Sequence, residues 1–404
     1  MTAWLDVIGI GEDGIEDLPA SARAVLEAAE VVVAPKRVLA GIQGLTAETH
    51  AWSSPLSGMV ERILGWRGRR VVVLATGDPM HFGIGATLTK HVGVGEMRVI
   101  PSPSAFSLAA ARLGWPLQDV ERVSLHGRPV SLIAPLIQPG ARILALTGGA
   151  QDVRDVASLL IARGYSRSRL TVLEHMGGAH ERVVEAGPSE CAERDFAAFH
   201  TMAVDCVADL DAPLLPRVPG LPDEAFRHDG QMTKREVRAV TLAALGPTPG
   251  ALLWDVGAGC GSVAIEWMRA ARGAQAIAFE RDPQRLSMIA ENAATLGTPD
   301  LEVVAGEAPA SLDGQRGPGA VFLGGAVSDP EIFSACWRGL PVGGRLVANS
   351  VTLEGEAAVI ERHKRWGGDL VRMDVSRVTE VGRLRGLRPS MSVLQWRVTK
   401  GEES

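Results

Sequence analysis

The chain has 404 residues, of which 46% are hydrophobic and 22% charged, so a globular protein of two domains is expected because one core rarely serves so long a chain. A net charge of −6, a pI of about 5.9 and only 4% aromatic residues argue against a nucleic-acid partner. No apolar run has the length of a membrane span and the first residues lack the basic start of a signal peptide, so a cytoplasmic location without membrane contact is expected.

The first predicted strand leads into a glycine-rich stretch, DVIGIGEDG at 6–14, with the spacing G-x-G-x-x-G. In a dinucleotide site such glycines open a helix directly, so that its amides receive a pyrophosphate. Here Pro19 predicts a helix that begins only after it, and Glu12 and Asp13 place negative charge where a phosphate would lie. A tight turn is therefore favoured, with a dinucleotide site as the alternative.

Short β-branched runs alternate with Ala-, Leu- and Arg-rich helical stretches along nearly the whole chain. This pattern indicates an α/β protein with largely parallel sheets. The clearest strands are predicted at 71–77, 143–149, 170–175, 251–259, 274–280, 301–307, 320–325 and 344–350.

The domain boundary is predicted in the proline-rich stretch 209–226, because prolines at this density stop helices and central strands. The predicted domains are residues 1–208 and 222–404, joined by a linker at 209–221. No internal repeat relates the two halves, so two different folds are expected rather than a duplication.

The cysteines at 191, 206, 260 and 336 have neither C-x-x-C spacing nor histidines at zinc-like intervals. Reduced thiols are expected, and neither a disulfide framework nor a metal site is predicted.

In the second half, LLWDVGAGCGSVAIEWM at 252–268 places Asp255 at the end of a strand, followed by a glycine turn and directly by a helix. Glu280 closes the next strand, where an acid can accept hydrogen bonds from both hydroxyls of a ribose. S-adenosylmethionine is favoured over NAD because it has no pyrophosphate and fits the shorter D-x-G-x-G-x-G loop. NAD and a purely structural turn are the alternatives.

This half resembles the class I S-adenosylmethionine methyltransferases, and more closely the decarboxylating precorrin methyltransferases of cobalamin biosynthesis. The resemblance spans about residues 222–400 and rests on DGQMTKREVRAVTLAAL, DVGAGCG, VVAGEAP, FLGGAV and VGGRLVANS. It implies a Rossmann-like fold and, by position, cofactor contacts from Thr233, Gly257, Ala258, Gly259, Cys260, Gly261, Glu280 and Ala308. Cys260 stands where these loops commonly carry threonine, so a hydroxyl contact would be lost.

The first half is similar to the tetrapyrrole methylases of the same pathway over about residues 4–208. The similarity rests on VIGIGEDG, LATGDPMHFGIG and VIPSPSAFSLAAARLGWPLQDVERVSLHGR, with TGGA and LEHMGGAHERV further along. It implies a fold of two α/β lobes whose first glycine loop lines the active cleft. The implied cofactor contacts are Ile10, Asp78, His81, Ser104 and Ala105. His175 and His180 are interpreted as packing or solvent-facing residues.

Together the resemblances imply a bifunctional enzyme of cobalamin biosynthesis, a homo-oligomer with two S-adenosylmethionine sites and a precorrin substrate. They imply methylation of precorrin-6Y or 6B at macrocycle carbons 5 and 15, with decarboxylation of the ring C acetate, to give precorrin-8. No catalytic residue is predicted, because the macrocycle supplies the nucleophile and the protein mainly positions reactants and excludes water. A bifunctional NAD-dependent oxidoreductase and a small-molecule sensor are the alternatives.

The substrate carries many carboxylates, and guanidinium groups bind carboxylates through two hydrogen bonds at a time. A basic stretch, SRVTEVGRLRGLRP at 376–389, lies between the last predicted strands, where such a fold has substrate-facing loops. The predicted substrate-binding residues are Arg377, Arg383, Arg385 and Arg388. A solvated charged loop is the alternative.

Overall fold

A computed structural model describes residues 3–42, 44–53 and 56–402. The chain forms two compact units. The N-terminal unit comprises the residues up to Val130 together with Pro139–Ala212, and the C-terminal unit comprises Ser131–Gln138 together with the residues from Pro213 onward. No helix in the described ranges combines the length and the apolar character needed to cross a membrane.

The first lobe of the N-terminal unit is an alternation of strands and helices. Its elements are β1 (Leu5–Ile10), α1 (Ala20–Glu27), β2 (Val31–Ala34), α2 (Lys36–Gly41), β3 (Glu48–Ala51), α3 (Leu56–Gly65), β4 (Val71–Thr76), α4 (Ile84–Leu88) and β5 (Met97–Ile100). The strands form a parallel sheet in the order β3-β2-β4-β1-β5. Its central strands are valine-rich and buried because helices cover both faces. The helix predicted after Pro19 is confirmed.

The second lobe of this unit has a mixed sheet. Its elements are α5 (Ala105–Leu113), β6 (Glu121–Ser124), β7 (Arg142–Leu146), α6 (Ala150–Ala162), β8 (Arg169–Glu174), β9 (Arg182–Ala186) and β10 (His200–Asp205), with short 3₁₀ helices at Leu117–Asp119 and Pro188–Glu190. The order is β6-β7-β10-β8-β9, and within the described residues only β6 and β7 pair in parallel. The prediction of largely parallel sheets is therefore wrong for this lobe, because β10 inserts antiparallel between β7 and β8.

The C-terminal unit is built on a larger sheet. Its elements are α7 (Arg235–Leu245), β11 (Leu252–Val256), α8 (Ser262–Ala270), β12 (Gln275–Glu280), α9 (Pro283–Leu296), β13 (Glu302–Ala305), β14 (Ala320–Leu323), α10 (Pro330–Gly339), β15 (Arg345–Ser350), α11 (Leu353–Trp366), β16 (Asp369–Met373), β17 (Ser376–Val381), β18 (Leu384–Pro389) and β19 (Val393–Thr399), with 3₁₀ helices at Val130–Leu136, Asp223–Ala225 and Ala310–Leu312. The sheet order is β13-β12-β11-β14-β15-β19-β16, with β19 antiparallel to both neighbours. β17 and β18 pair as a separate hairpin.

The order of the parallel strands in this sheet indicates where a ligand would bind. From β11 the chain proceeds outward through β12 to β13, and from β14 it proceeds outward in the other direction to β15. Strand order therefore reverses between β11 and β14. In open α/β sheets a crevice forms at the carboxyl ends of the strands at such a point.

The segment Ser131–Gln138 packs within the C-terminal unit although it precedes β7 in the chain. The side-chain amide of Gln138 donates to the carbonyl oxygen of Leu215 at 2.8 Å. Gly297 ends α9 with a φ of 84°, and a β-carbon there would overlap Pro135 and lie 2.7 Å from the Ser131 carbonyl oxygen. Glycine at 297 therefore allows both the left-handed turn and the close approach of this segment.

The substitution Gly297→Ala is expected to lower the free energy of unfolding by about 2–4 kcal/mol, since left-handed strain and steric overlap add. Gly246→Ala is the matched control, because Gly246 ends α7 with a φ of 63° but has its nearest neighbouring atom at 3.7 Å. The control should lose only about 1–2 kcal/mol. Urea unfolding measures both, and equal losses would show that the 131–138 contact contributes nothing.

Candidate functional site

A cavity of about 840 Å³ opens at the carboxyl ends of β11, β12 and β14. It lies where the strand order reverses, as expected for this architecture. The predicted residues that line it are Thr233, Gly257, Ala258, Gly259, Glu280, Ala308 and Arg377. The predicted residues Cys260, Gly261, Arg383, Arg385 and Arg388 lie outside its walls.

The glycine turn after β11 forms one wall of the cavity. Gly257, Gly259 and Gly261 have φ angles of 75°, 59° and 79°, in the left-handed region that other residues rarely adopt. Gly261 immediately precedes α8. The turn therefore brings the start of α8, whose first amides have no partner within the helix, to the edge of the cavity.

Glu280 holds this turn in place from the end of β12. Its Oε2 accepts from the backbone N–H of Gly259 at 2.8 Å, and its Oε1 accepts from those of Arg281 and Asp282 at 2.9 and 3.0 Å. The side chain is buried and lines the cavity. A carboxylate offers about four acceptor positions, so one remains for a donor inside the cavity.

Asp255 is the most deeply buried acid of the cavity wall, 1% exposed. Its Oδ2 accepts from the backbone N–H of Ala264 at 3.0 Å, whereas Oδ1 has no hydrogen-bond partner among the residues that the structure describes. Burial raises the pKa of this carboxyl from 3.8 to about 7. A cationic group in the cavity would satisfy Oδ1 and favour the ionised form.

Cys260 does not fit the predicted cofactor contact. Its side chain is buried in the hydrophobic core beneath α8 and α9, and its carbonyl oxygen accepts from the Asn292 side chain at 2.9 Å. Burial raises the pKa of the thiol. The Cys260 side chain is therefore part of the core and does not line the cavity.

The basic stretch 376–389 is a hairpin rather than a loop, and only Arg377 lines the cavity. Its guanidinium donates to Glu236 at 2.6 Å and to Asp223 at 3.5 Å. Arg383 lies in the turn of the hairpin and Arg385 is opposite Glu380. Arg388 pairs with Arg377 across the strands without reaching the cavity wall. Alternation along the strands puts Arg385 on the opposite face of the hairpin from Arg377, because successive side chains point to opposite faces. Arg388 shares the face of Arg377 and still does not line the cavity.

In the N-terminal unit, the predicted residues meet at the carboxyl ends of β1 and β4. The Gly77 amide donates to the carbonyl oxygen of Ile10 at 2.8 Å. His81 Nδ1 lies 3.3 Å from Ser104 Oγ, which also caps α5 just before Ala105. Asp78 Oδ1 accepts from the Met80 amide at 2.8 Å.

A close approach of three backbone segments shapes this second candidate site. A β-carbon at Gly9 would lie 2.6 Å from the backbone nitrogen of Ser102 and would overlap the Gly77 carbonyl oxygen. The first glycine loop is a turn closed between Gly11 and Gly14, and α1 begins only at Ala20. No helix opens at these glycines, so the geometry does not support a dinucleotide site.

Two family models match the chain: tetrapyrrole (corrin/porphyrin) methylases over residues 5–190 and the precorrin methyltransferase domain over residues 224–400. A precorrin-6Y C(5,15)-methyltransferase [decarboxylating] of Sinorhizobium is 47% identical over 99% of this chain and 97% of its own length. The chain belongs to the family of decarboxylating precorrin-6Y methyltransferases.

A second member of the precorrin-6Y methyltransferase family, from Mycobacterium tuberculosis, is 40% identical over 98% of this chain and 99% of its own. The crystal structure of the C-terminal domain of precorrin-6Y C5,15-methyltransferase from Rhodobacter capsulatus is 44% identical, covering 46% of this chain and 100% of that chain with a TM-score of 0.44. The methyl donor that this family implies is S-adenosylmethionine.

A buried ion cluster next to the cavity, formed by Arg238, Glu266 and Asp223, was not predicted from the sequence. Arg238 is fully buried and donates to Glu266 at 2.6 Å, to Asp223 at 3.1 Å and to the carbonyl oxygen of Thr233 at 2.6 Å. Glu266 in turn accepts from the backbone amides of Gly220 and Leu221. The cluster therefore ties the proline-rich stretch to the cavity wall at Thr233. The sequence did contain one signal for this cluster, because Arg238 falls on the same face of α7 as the apolar residues Leu242 and Leu245.

Proposed function

We propose that the C-terminal unit methylates a precorrin and decarboxylates its ring C acetate, and that the N-terminal unit carries out the other methylation. The observation that carries the proposal is the presence of a separate candidate cofactor site in each unit. One is the cavity at Asp255 and Glu280. The other is the edge where Ile10, Gly77 and Ser104 meet. Two cofactor molecules would then serve one turnover, with residues 209–221 as the linker.

In the cavity, the chain's own residues bind and orient. Asp255 and Glu280 would hold the ammonium and the ribose of S-adenosylmethionine, which when bound supplies an electrophilic methyl group. Arg377, and Lys234, which forms no ion pair within the described residues, lie on the wall where substrate carboxylates would be held. The buried side chain of Val393 adds apolar surface to that wall, and Met391 lies beside it.

The same cavity suits the loss of carbon dioxide. Methylation leaves the conjugated macrocycle positively charged, and the bond from the acetate methylene to its carboxylate can break with its electron pair entering that system. An arginine on the departing carboxylate would stabilise it and oppose the step. Arg377 is therefore assigned to one of the other carboxylates, and the ring C acetate to the apolar part of the wall.

Mass spectrometry of the full chain with a precorrin and S-adenosylmethionine tests the proposal. The expected product has gained two methyl groups and lost one carbon dioxide. In the full chain carrying Glu280→Ala, the carbon dioxide loss and one methyl gain should fall together, since both depend on the C-terminal site. Undiminished decarboxylation in that variant would contradict the assignment.

Arg377→Ala should raise the Michaelis constant for the tetrapyrrole about 10-fold or more, the loss of one or two charge-assisted hydrogen bonds. Cofactor affinity should not change. Arg385→Ala is the matched control, because Arg385 is on the same hairpin but outside the cavity. Equal effects of the two substitutions would restore the interpretation of a solvated charged hairpin.

The family is one of methyltransferases, so the oxidoreductase and sensor interpretations are not retained. A cytoplasmic location, a homo-oligomeric state and the absence of nucleic-acid and membrane partners stay expectations from the sequence.

A further inference from the structure

A cluster of charged and titratable side chains in the N-terminal unit has no part in the sites described above. Glu12 lies in the loop after β1, Arg37 at the start of α2, and His175 directly after β8. His175 Nδ1 is 2.9 Å from Glu12 Oε1, and Arg37 donates to Glu12 Oε2 at 3.1 Å. These three residues are called the Glu12–His175 cluster below.

The backbone around this cluster is built for close contact. His175 has a φ of 48°, in the left-handed region that a non-glycine residue rarely occupies. Gly178, three residues on, packs so tightly that a β-carbon there would lie 2.6 Å from Glu12 Cγ. Strained backbone of this kind persists only where the surroundings impose it, and it is concentrated at functional sites.

The cluster is contiguous with the candidate cofactor residues of the N-terminal unit. Arg37 also lies 3.3 Å from Thr76 Oγ1, and the next residue, Gly77, is the one whose amide donates to Ile10. Glu12 follows Ile10 by two residues. The cluster thus lies at the same carboxyl edge of β1 and β4 as the predicted cofactor contacts.

The contact with Glu12 determines which tautomer the neutral His175 side chain adopts. Ionised Glu12 can only accept, so the neutral imidazole of His175 must carry its proton on Nδ1 and have a lone pair on Nε2. No residue of the described ranges hydrogen-bonds to Nε2, and the side chain is 31% exposed.

Methylation at a macrocycle carbon without loss of carbon dioxide requires such a proton acceptor. The carbon forms a new bond to the methyl group with a π electron pair of the ring, while the methyl–sulfur bond breaks and leaves its pair on sulfur. The macrocycle then carries one extra positive charge. Loss of a proton from a ring C–H or N–H returns an electron pair to the conjugated system and restores its charge.

We propose that His175 Nε2 accepts the proton that the tetrapyrrole loses during methylation by the N-terminal unit, and that Glu12 is the positioning residue for His175. This rests on the proposed function of that unit. Arg37 fixes the carboxylate of Glu12, and Gly178 allows Glu12 to reach the turn after β8.

The first test uses His175→Gln in the full chain, because glutamine can still donate to Glu12 but is not a base. In this variant, the rate of methylation by the N-terminal unit, which occurs without loss of carbon dioxide, should fall about 100-fold or more. This is the usual contribution of a general base. The decarboxylating methylation in the same molecule should keep its rate. Cofactor affinity by calorimetry should be unchanged. In His175→Ala, added imidazole should restore part of the lost rate.

The second test is independent of turnover. In protein labelled with ¹⁵N-histidine, the His175 resonances, assigned by their loss in His175→Gln, should report the Nδ1–H tautomer. Glu12→Gln should move the population toward Nε2–H and lower kcat of the N-terminal methylation about 10-fold. His91→Ala is the control, since His91 is exposed in the same unit and makes no hydrogen bond to Glu12 among the described residues.

The outcomes separate this proposal from the proposed function. A wild-type rate in His175→Gln overturns the role of His175 even when two methyl groups are still transferred. A rate lost together with cofactor affinity, without rescue by imidazole, also overturns it, because the role would then be structural. Transfer of only one methyl group by the wild-type protein refutes the proposed function of the N-terminal unit itself.

Discussion

Asp255→Asn is expected to make the cofactor-free protein more stable and to weaken cofactor binding in the C-terminal unit. The ionised Asp255 carboxyl has an unpartnered buried oxygen, and burial raises its pKa to about 7. Asparagine keeps an oxygen that can accept from the Ala264 amide and removes the buried charge. At pH 8 the gain should be about 1–3 kcal/mol, after allowing for the unpartnered amide group that replaces Oδ1.

The pH dependence of this gain has a defined sign. The folded protein holds the Asp255 proton more tightly than the unfolded chain, whose carboxyl titrates near 3.8. Stability contributed at this residue is therefore lost as pH rises from about 4 to 7. The advantage of Asp255→Asn over wild type should be smaller at pH 5 than at pH 8 and should vanish only below about pH 4, where the wild-type carboxyl is protonated in both the folded and the unfolded protein. Urea unfolding at pH 8 and pH 5 measures it, and a gain at pH 5 as large as the gain at pH 8 would contradict this explanation.

Cofactor binding should respond in the opposite direction. Loss of a hydrogen bond between charged groups weakens binding by about 1.5–3 kcal/mol, roughly 10- to 150-fold. At pH 6 the wild-type protein should release up to about one proton on binding, since a bound ammonium favours ionised Asp255. Calorimetry in buffers of different ionisation enthalpy detects this. Asp313→Asn, at an exposed position, is the control, and equal proton release by Asp255→Asn and wild type would exclude Asp255.

Arg238→Met is expected to lower the free energy of unfolding by about 3–5 kcal/mol, the usual effect of removing one partner of a buried ion pair. Glu266, 2% exposed, would have only the Gly220 and Leu221 amides left as partners. Because Arg238 also donates to the Thr233 carbonyl oxygen, cofactor affinity in the cavity should fall as well.

Two further variants identify the cause of this loss. Arg238→Met combined with Glu266→Gln removes a buried charge and should recover about 1–2 kcal/mol. Arg397→Met breaks an exposed pair with Asp369 and should cost less than about 1 kcal/mol. Denaturant unfolding with calorimetric titration measures all three. A loss at Arg238 no larger than at Arg397 would show that the buried cluster does not stabilise the unit.

Local features of this chain could be predicted because neighbouring residues decide them. Apolar β-branched runs predicted the strands now seen as β4, β8, β11 and β12. Three glycines between β11 and α8 predicted a turn, and in the structure all three adopt left-handed φ angles that only glycine takes without strain. The β11–turn–α8 unit that follows Asp255, and Glu280 at the end of β12, could be predicted for the same reason.

Strand pairing and the partners of charged side chains were decided only by the tertiary structure. The insertion of β10 between β7 and β8, and the antiparallel β19, depend on contacts between segments far apart in the chain. Four arginines in one basic stretch looked equivalent, yet of these four only Arg377 lines the cavity, because the position of the folded hairpin decides which of them reaches it.

The partners of the charged residues in the Arg238 cluster and in the Glu12–His175 cluster also could not be predicted from the sequence. Arg238 meets Glu266 across 28 residues and Glu12 meets His175 across 163. An isolated arginine or histidine in a sequence is ordinarily a solvated side chain, and its burial and partner are set by packing. Residue type and spacing determined where this chain forms strands, helices and turns. The packing of segments far apart in the sequence determined which charged side chains form pairs.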